Sequence, residues 1–292
     1  MSDREPADFR PARASSVPTF AILALVALLA AAGWWYWSQR AEPPAMPTAV
    51  APPPVEAPAP PPQAAASGPQ NPVDALAEPD AVLPALADAD AAVTGALTEL
   101  LGARRVASFL HVDGFVRRAV ATVDNLPRPQ APSRMWPVQP SPERFEVQGS
   151  GDRQAIGAGN AARYAAFTGF VEAVDAERAA RVYARLYPLF QQAYEELGYP
   201  GRYFNDRLVA VIDHLLAAPE PAGPIAVRLT EVRGEFAETR PWTRYEFADP
   251  ALESLSSGQK IMVRVGLAQE KRLKAKLRAF RAQVATGELA KR

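Results

Sequence analysis

The chain of 292 residues contains no cysteine and only two histidines. The absence of cysteine excludes disulfides, thiolate metal sites, a cysteine nucleophile and lipid attachment through cysteine. The two histidines, His111 and His214, lie far apart in the sequence, and no acidic cluster supplies the further ligands that a zinc site needs. We therefore expect no metal and no cofactor, and we interpret both histidines as structural.

The glycine-rich motifs that bind nucleotide phosphates are missing too, since the chain has neither G-x-G-x-x-G nor a P-loop. The formal net charge is zero, with 32 basic and 32 acidic residues, and we expect no nucleic-acid partner. The charges are unevenly placed: residues 41–103 contain no Lys or Arg, whereas residues 271–292 are strongly basic. This asymmetry predicts either a contact made by the basic end or neutralisation of one end by the other.

A single long apolar run occupies residues 19–37 and carries no charge. A transmembrane helix needs about 20 predominantly apolar residues, so we predict a transmembrane helix over residues 19–39. Trp34-Trp35-Tyr36-Trp37 ends the run, and aromatic rings of this kind settle at the membrane interface. The alternative is a signal peptide cleaved near Ala30-Ala31-Ala32, but the run is longer than the apolar part of a usual signal peptide.

The orientation of this helix follows from the basic residues beside it. Arg4, Arg10 and Arg13 precede the run, and only Arg40 follows it before Arg104. Because Lys and Arg near a span stay on the cytoplasmic side, we expect residues 1–18 to form a cytoplasmic tail. The remainder of the chain is then periplasmic, and the bacterial inner membrane is the expected location.

Residues 40–73 are rich in proline and alanine, including Pro52-Pro53-Pro54 and Pro60-Pro61-Pro62. Proline fixes φ and lacks an N–H group, so this stretch cannot form a helix or a central strand. We predict a disordered linker that favours polyproline II, with a reach of about 90 Å between Pro43 and Pro72 at ~3.1 Å per residue.

Residues 74–292 are long enough for one folded domain. Hydrophobic periodicity predicts a mainly helical domain with a small β element. Within it, we expect Pro188 to kink or restart a helix, and two antiparallel helices to meet around Tyr199-Pro200-Gly201 as an αα-hairpin. The predicted helices cover 88–101, 109–126, 160–174, 176–197, 204–216, 250–255, 259–265 and 267–284, and the predicted strands cover 145–147, 225–229 and 245–247.

Two motifs suggest enzymes. Ser257-Gly258-Gln259-Lys260 spells S-x-x-K, the nucleophile motif of penicillin-binding proteins, but the partner motifs S-D-N and K-T-G are absent and we interpret Ser257 as a helix N-cap. Glu195 and Glu196, with Asp206 and Asp213 across the hairpin, could instead cleave glycan as a pair of carboxylates. The simpler interpretation of these acids is a solvated face with weak ion pairs, and we assign no catalytic residue.

Aromatic residues recur at helical spacing along the first arm of the hairpin, at Tyr183, Tyr187, Phe190 and Tyr194. Their rings could stack on a sugar or anchor a peptide. Packing between two helices explains the same spacing, and the hydroxyls of buried tyrosines would then bond to neighbouring polar side chains such as Asn205.

Four segments carry a resemblance to a known family. They are Val123-Asp124-Asn125-Leu126-Pro127, the long stretch from Tyr187 to Arg207, Tyr245-Glu246-Phe247-Ala248-Asp249-Pro250 and Ser257-Gly258-Gln259-Lys260. Together they resemble a proteobacterial membrane-anchored family catalogued as domain of unknown function 3014. The resemblance covers nearly all of the terminal domain and implies a single-span envelope protein, but it supplies no activity and no site.

Two functions fit this layout. The first is a non-enzymatic binding or scaffold module, anchored in the inner membrane, whose partner is an envelope protein or peptidoglycan. The second is a cell-wall enzyme that cleaves glycan with the Glu195/Glu196 and Asp206/Asp213 carboxylates. For the first we predict one polar and aromatic surface on the hairpin, made of Tyr187, Gln191, Tyr194, Glu195, Arg202, Tyr203, Asn205, Asp206 and Arg207.

Overall fold

The computed structural model describes residues 68–74, 76–77, 80, 82–230 and 243–287. All of them belong to a unit formed by residues 64–292. The predicted cytoplasmic tail, the transmembrane helix and most of the linker therefore lie outside the described residues.

The described residues are mainly helical, as the hydrophobic periodicity predicts. Their α-helices, in chain order, are α1 Asp90–Leu101, α2 Ala103–Phe109, α3 Phe115–Asn125, α4 Gly159–Glu172, α5 Ala176–Arg185, α6 Tyr187–Glu196, α7 Phe204–Leu216, α8 Pro250–Glu253, α9 Ser257–Arg264 and α10 Leu267–Val284. Short 3-10 helices cover Leu86–Asp88, Ser133–Met135 and Gly151–Arg153. None of the helices in the described part of the chain is both long and apolar enough to cross a bilayer.

One long helix was expected over residues 176–197, with a kink or restart at Pro188, and the chain restarts there. Helix α5 ends at Arg185 and α6 begins at Tyr187, so Pro188 falls within the first turn of α6. Proline is tolerated in a first turn because the N–H groups there have no partner within the helix. Beyond α6, Gly198 and Gly201 adopt φ angles of 109° and 71°, which lets the chain reverse into α7.

Another predicted helix, over residues 109–126, is wrong in its extent. Helix α2 ends at Phe109, and α3 begins only at Phe115. Gly114 precedes α3 in the left-handed conformation, with φ 61° and ψ 32°, and a left-handed residue interrupts a right-handed helix. Its N–H donates to the Asp90 carboxylate over 2.9 Å.

The longest helix, α10, packs against α4, α5 and α7, while α3 packs against α6 and α7. The largest hydrophobic cluster is formed by residues of α1, α3, α5, α6 and α7 and the end of α10, and it includes Val93, Val120, Ala184, Phe204 and Val284. Each is almost completely buried, and full burial of a side chain such as valine or phenylalanine contributes about 1.5–3 kcal/mol. The hairpin of α6 and α7 is therefore part of the core of the domain.

The β element consists of two antiparallel hairpins. Strands β1 (Val147–Gln148) and β2 (Ala155–Ile156) form the first, and β3 (Val227–Leu229) and β4 (Tyr245–Phe247) form the second. An isolated bridge between Ala155 and Ala226 links them. A smaller hydrophobic cluster around Val227, Phe247 and Val263 then joins the β element to α9.

The folded part of the chain begins before Asp74, the expected first residue of the domain. Val73 is buried in the largest hydrophobic cluster, and Asn71 is buried beside it. The backbone N–H groups of Gln70 and Asn71 donate to the Asp206 carboxylate over 3.0 and 2.7 Å. Residues 70–73 thus pack against the start of α7.

Ser257 does not cap α9, as the sequence had suggested. The cap is the preceding residue, Ser256, whose hydroxyl accepts the N–H of Gln259 over 3.2 Å. Ser257 is the first residue of the helix, and its hydroxyl donates to the Leu126 carbonyl over 3.2 Å. The predicted N-cap was therefore one residue too late in the sequence.

Candidate functional site

The nine residues of the predicted hairpin surface differ widely in exposure. Tyr194 and Asn205 are buried, and only Glu195 and Arg202 are exposed. The other members, which are partly buried, are Tyr187, Gln191, Tyr203, Asp206 and Arg207. The exposed part of the set is therefore a small edge at the turn between α6 and α7.

Gln191 organises this edge. Its side-chain oxygen accepts hydrogen bonds from the Tyr187 hydroxyl over 3.0 Å and from the backbone N–H of Phe204 over 2.9 Å. Its amide nitrogen donates to the Glu195 carboxylate over 2.8 Å and to the Arg202 carbonyl over 2.7 Å. One glutamine thus joins α6, the turn and the first residue of α7, and we call Gln191, Glu195 and Arg202 the hairpin edge.

Asn205, close to this edge in the sequence, has an entirely internal role. It is fully buried, and its side-chain nitrogen donates to the carbonyls of Asn71 and Val284, each over 2.9 Å. Its oxygen accepts the Tyr183 hydroxyl over 3.3 Å. Asn205 therefore ties α7 to both ends of the domain, and its side chain is withdrawn from the surface.

Asp206 and Arg207 each have defined partners within the domain. Besides the two backbone N–H groups, Asp206 accepts the side-chain amide of Asn71 over 3.1 Å. Arg207 donates from Nε to the Asp124 carboxylate over 3.1 Å and from a terminal nitrogen to the Asp124 carbonyl over 2.9 Å. These two residues fasten α7 to the segment 70–73 and to the end of α3.

The sequence interpretation missed the importance of Asp124, which is buried at the end of α3. Its carboxylate accepts hydrogen bonds from Arg128 and Arg207 and from the Tyr199 hydroxyl, the last over 3.1 Å. Arg128 also donates to the Tyr199 hydroxyl over 2.8 Å. The position of Asp124 within the motif Val123–Pro127 was a signal, but only the fold shows its partners.

The aromatic residues along α5 and α6 belong mostly to the core. Tyr183 packs edge-on against Tyr187 and Phe190, with ring centroids 5.7 and 5.3 Å apart, and Tyr194 stacks on Tyr199 at 4.6 Å. Burial raises the pKa of Tyr183 well above its usual value and that of Tyr187 to about 12. Of the set, Tyr187 keeps its hydroxyl at the hairpin edge.

The four carboxylates of the alternative enzyme hypothesis are bound to separate partners. Glu195 accepts the Gln191 amide, Glu196 pairs with Arg117 at 3.0 Å, and Asp213 pairs with Arg281. Asp206 and Asp213 both line a cleft of about 200 Å³, with Gln70, Asn71, Val209, Ala210 and Arg281. Glu195 and Glu196 do not line it, so the fold does not bring the two proposed pairs into one cleft.

The S-x-x-K motif has no catalytic arrangement. The Lys260 ammonium pairs with the Glu253 carboxylate, not with Ser257. A serine–histidine contact does exist at the preceding residue, where His214 Nε2 lies 2.7 Å from Ser256 Oγ. However, Ser256 is buried and its oxygen caps α9, so this contact joins α7 to α9.

The basic C-terminal helix is largely paired within the domain. Arg272 pairs with Glu172, and Arg281 pairs with Asp213. Lys274 is buried, with its ammonium 2.9 Å from Glu220 and 3.0 Å from Glu270. These acidic partners all lie after residue 103, so they do not come from the acidic stretch that precedes it.

No group of three or more potential metal ligands occurs among the residues that the structure describes. The arrangement is that of a helical domain with a polar edge at one interhelical turn.

The chain belongs to the family described as Protein of unknown function (DUF3014), whose sequence profile matches residues 115–281. No curated protein and no solved structure matches the chain.

Proposed function

We propose that the chain is a single-pass inner-membrane protein whose periplasmic domain is a non-enzymatic binding or scaffold module of the cell envelope. In this proposal residues 19–39 anchor the protein, residues 40–69 space the domain from the membrane, and the hairpin edge meets the partner. The apolar run and the proline-rich stretch support the anchor and spacer.

The observation that carries the binding role is the hairpin edge itself. Glu195 and Arg202 are exposed. Gln191 holds the backbone after the turn through the Arg202 carbonyl and the Phe204 N–H, and it also bonds to the Tyr187 and Glu195 side chains. A pre-organised polar surface loses less conformational freedom on binding than a flexible one. The edge therefore suits recognition of a polar partner, an envelope protein or peptidoglycan.

The glycan-cleaving alternative has less support. Glycosidases need two carboxylates on either side of one bond, about 5–9.5 Å apart. The proposed acids contact different partners, among them Arg117 and Arg281. A feature in favour of an enzyme is that Asp206 and Asp213 line the same cleft, where a glycan would have to bind between them.

The test combines binding and turnover with the full-length protein in detergent micelles. Purified peptidoglycan sacculi are sedimented with wild type, Glu195→Gln and Arg202→Gln, and released sugar is measured in the same tubes. Glu177→Gln is the control, because Glu177 is an exposed acid paired only across one turn of α5.

A binding role for the hairpin edge predicts that the two edge variants co-sediment less than wild type and Glu177→Gln, while no tube releases sugar. If sacculi do not bind, a photo-crosslinking residue at position 202 should capture an envelope protein that the same residue at position 177 does not. Hydrolysis of sacculi that depends on Asp206 or Asp213 would instead establish the enzyme.

The topology is tested separately by a reporter fused after Arg292, which should be active in the periplasm. The full-length mass should remain in the membrane after an alkaline wash. A shortened soluble species beginning near Gly33 would show that the apolar run is a signal peptide.

A further inference from the structure

A second polar cleft lies between α4, α9 and the β3–β4 hairpin, and no residue of α6 or α7 lines it. Its volume is about 190 Å³. Sites for drug-sized molecules occupy about 300–1,000 Å³, so this cleft fits a single ring. The described residues that line it are Phe145, Arg163, Tyr164, Thr243, Tyr245 and Arg264.

Arg163 forms one fixed wall of the cleft. Its guanidinium donates to the carbonyls of Pro142 and Glu143, over 3.0 and 3.2 Å, and to the side-chain oxygen of Asn160 over 3.0 Å. Asn160 is itself buried and bonded to the Glu146 backbone. All three nitrogen atoms of Arg163 thus donate to protein oxygens. These bonds hold the guanidinium in one position, with its positive charge at the wall of the cleft.

Arg264 has fewer hydrogen-bond partners among the described residues than Arg163 has. One terminal nitrogen donates to the Tyr245 carbonyl over 2.8 Å, and the guanidinium carbon lies 4.9 Å from the centre of the Phe247 ring. The Nε atom is buried and has no hydrogen-bond partner among the residues that the structure describes. Burial lowers the pKa of Arg264 even though the Glu253 carboxylate acts in the opposite direction.

Among the described residues Glu253 forms no ion pair with Arg264, and both of its oxygens accept other donors. They accept the Lys260 ammonium and the backbone N–H of Phe247, the latter over 2.8 Å. None of the described residues lining the cleft is acidic. Two guanidinium groups therefore face one small space, and such a space attracts an anion.

The remaining walls are aromatic. The Phe145 and Tyr245 rings lie 5.9 Å apart at an angle of 42°, and the Tyr164 ring lies under the Arg163 guanidinium at 5.3 Å. Aromatic faces pack against flat apolar surfaces. A ligand that matches both kinds of wall has a compact ring and a carboxylate, which a guanidinium binds through two parallel hydrogen bonds.

We propose that this cleft binds a sugar ring that carries a carboxylate, with the carboxylate on Arg264 and the apolar face of the ring against Phe145 and Tyr245. The site is distinct from the hairpin edge. It rests on the proposed function only for the envelope location, which makes the carboxylated sugar of peptidoglycan the probe.

The test titrates the full-length protein in detergent micelles with N-acetylmuramic acid and with N-acetylglucosamine, which differ by a lactyl group bearing the carboxylate. Isothermal titration calorimetry should give binding of the first sugar and at least about tenfold weaker binding of the second, because only the first carries the carboxylate that the guanidinium binds. Arg264→Gln should weaken the first by a similar factor. Arg278→Gln, a change on α10 away from the cleft, should not.

Phe145→Leu keeps every charge and should weaken binding by removing one aromatic wall, so it decides the question if Arg264→Gln unfolds the domain. Equal affinity for the two sugars would overturn the proposal, as would no saturable binding of N-acetylmuramic acid. Equal binding of lactate or N-acetyl-D-alanine would overturn the sugar assignment and leave a site for carboxylates alone. None of these failures affects the hairpin crosslinks or the topology reporter, which test the proposed function.

Discussion

The Arg207 guanidinium donates two hydrogen bonds to Asp124, one of 3.1 Å to the carboxylate and one of 2.9 Å to the backbone carbonyl. The pair connects the first turn of α7 to the last turn of α3, across 83 positions in the sequence. Only 4 % of the Asp124 side chain is exposed, against 31 % for Arg207. The carboxylate is therefore the buried member of the pair.

We predict that Asp124→Ala destabilises the domain by about 2 kcal/mol. Removing one partner of a fully buried pair costs ~3–5 kcal/mol, and the partly exposed Arg207 can still reach water. Urea unfolding measures the difference. Glu177→Ala is the matched control, because the Glu177–Arg181 pair is exposed and such pairs contribute less than about 1 kcal/mol. Equal losses in the two variants would show that the Asp124 contacts add nothing.

Alanine substitutions at two helical glycines should change the stability of the domain in opposite directions. A Cβ at Gly258 in α9 would lie 2.6 Å from Leu215 Cδ2 and 3.0 Å from the Leu126 carbonyl oxygen, whereas one at Gly95 in α1 meets nothing within 4 Å. We predict that Gly258→Ala costs about 1–3 kcal/mol through overpacking, and that Gly95→Ala gains about 0.5–1 kcal/mol through helix propensity. Thermal melting of both variants checks the signs, and stabilisation by Gly258→Ala would contradict the packing.

The helical character of the domain was predictable because each long helix has its own signals. The pattern predicted a helix over 204–216 and another over 267–284, and α7 and α10 have these bounds. Apolar residues at helical spacing mark the buried face of each helix. These signals are local, so a single sequence is enough to detect them.

Features that depend on distant partners were not predictable. Two adjacent serines can each cap α9, and Ser256 is the one that also contacts His214, 42 positions earlier. Likewise, nothing in the local sequence of Asp124 indicates that Tyr199 and Arg207 bind it. The hairpin surface shows the same limit, since periodicity cannot tell the buried Asn205 from the exposed Arg202.

The segment before Asp74 should contribute to stability. A chain that begins at Gly68 keeps buried Val73 and the bonds from Gln70 and Asn71 to Asp206, and a chain that begins at Asp74 loses them. We predict a loss of about 2–4 kcal/mol from the apolar burial and the hydrogen bonds together. Urea unfolding of the two chains measures it.

The same comparison can assign part of that loss to Asp206. Asp206→Asn should destabilise the chain beginning at Gly68 but should have little further effect in the chain beginning at Asp74, where its partners are absent. Equal effects of Asp206→Asn in both chains would mean that the carboxylate acts through other contacts.

Glu270, in α10, has a fully buried side chain. Its carboxylate lies 3.0 Å from the Lys274 ammonium, yet neither oxygen accepts a well-formed hydrogen bond from the described residues. Burial raises the pKa of Glu270 above its usual 4.5, despite the opposing attraction of Lys274. Above pH 4.5 the folded state therefore keeps a proton that the unfolded state has lost, so the free energy of unfolding falls as the pH rises through this window.

Glu270→Gln removes this term, so the stability of the variant relative to wild type should increase from pH 4.5 upward and then level off. Urea unfolding at intervals between about pH 3 and pH 8 measures the difference and includes the window below pH 4.5 that the control needs. Glu172→Gln provides the control of opposite sign. A hydrogen bond from Arg272 lowers the pKa of Glu172 below 4.5, so its contribution is present above pH 4.5 and is lost as the pH falls. A pH-independent difference for Glu270→Gln would show that Glu270 ionises in the folded domain as it does in the unfolded chain.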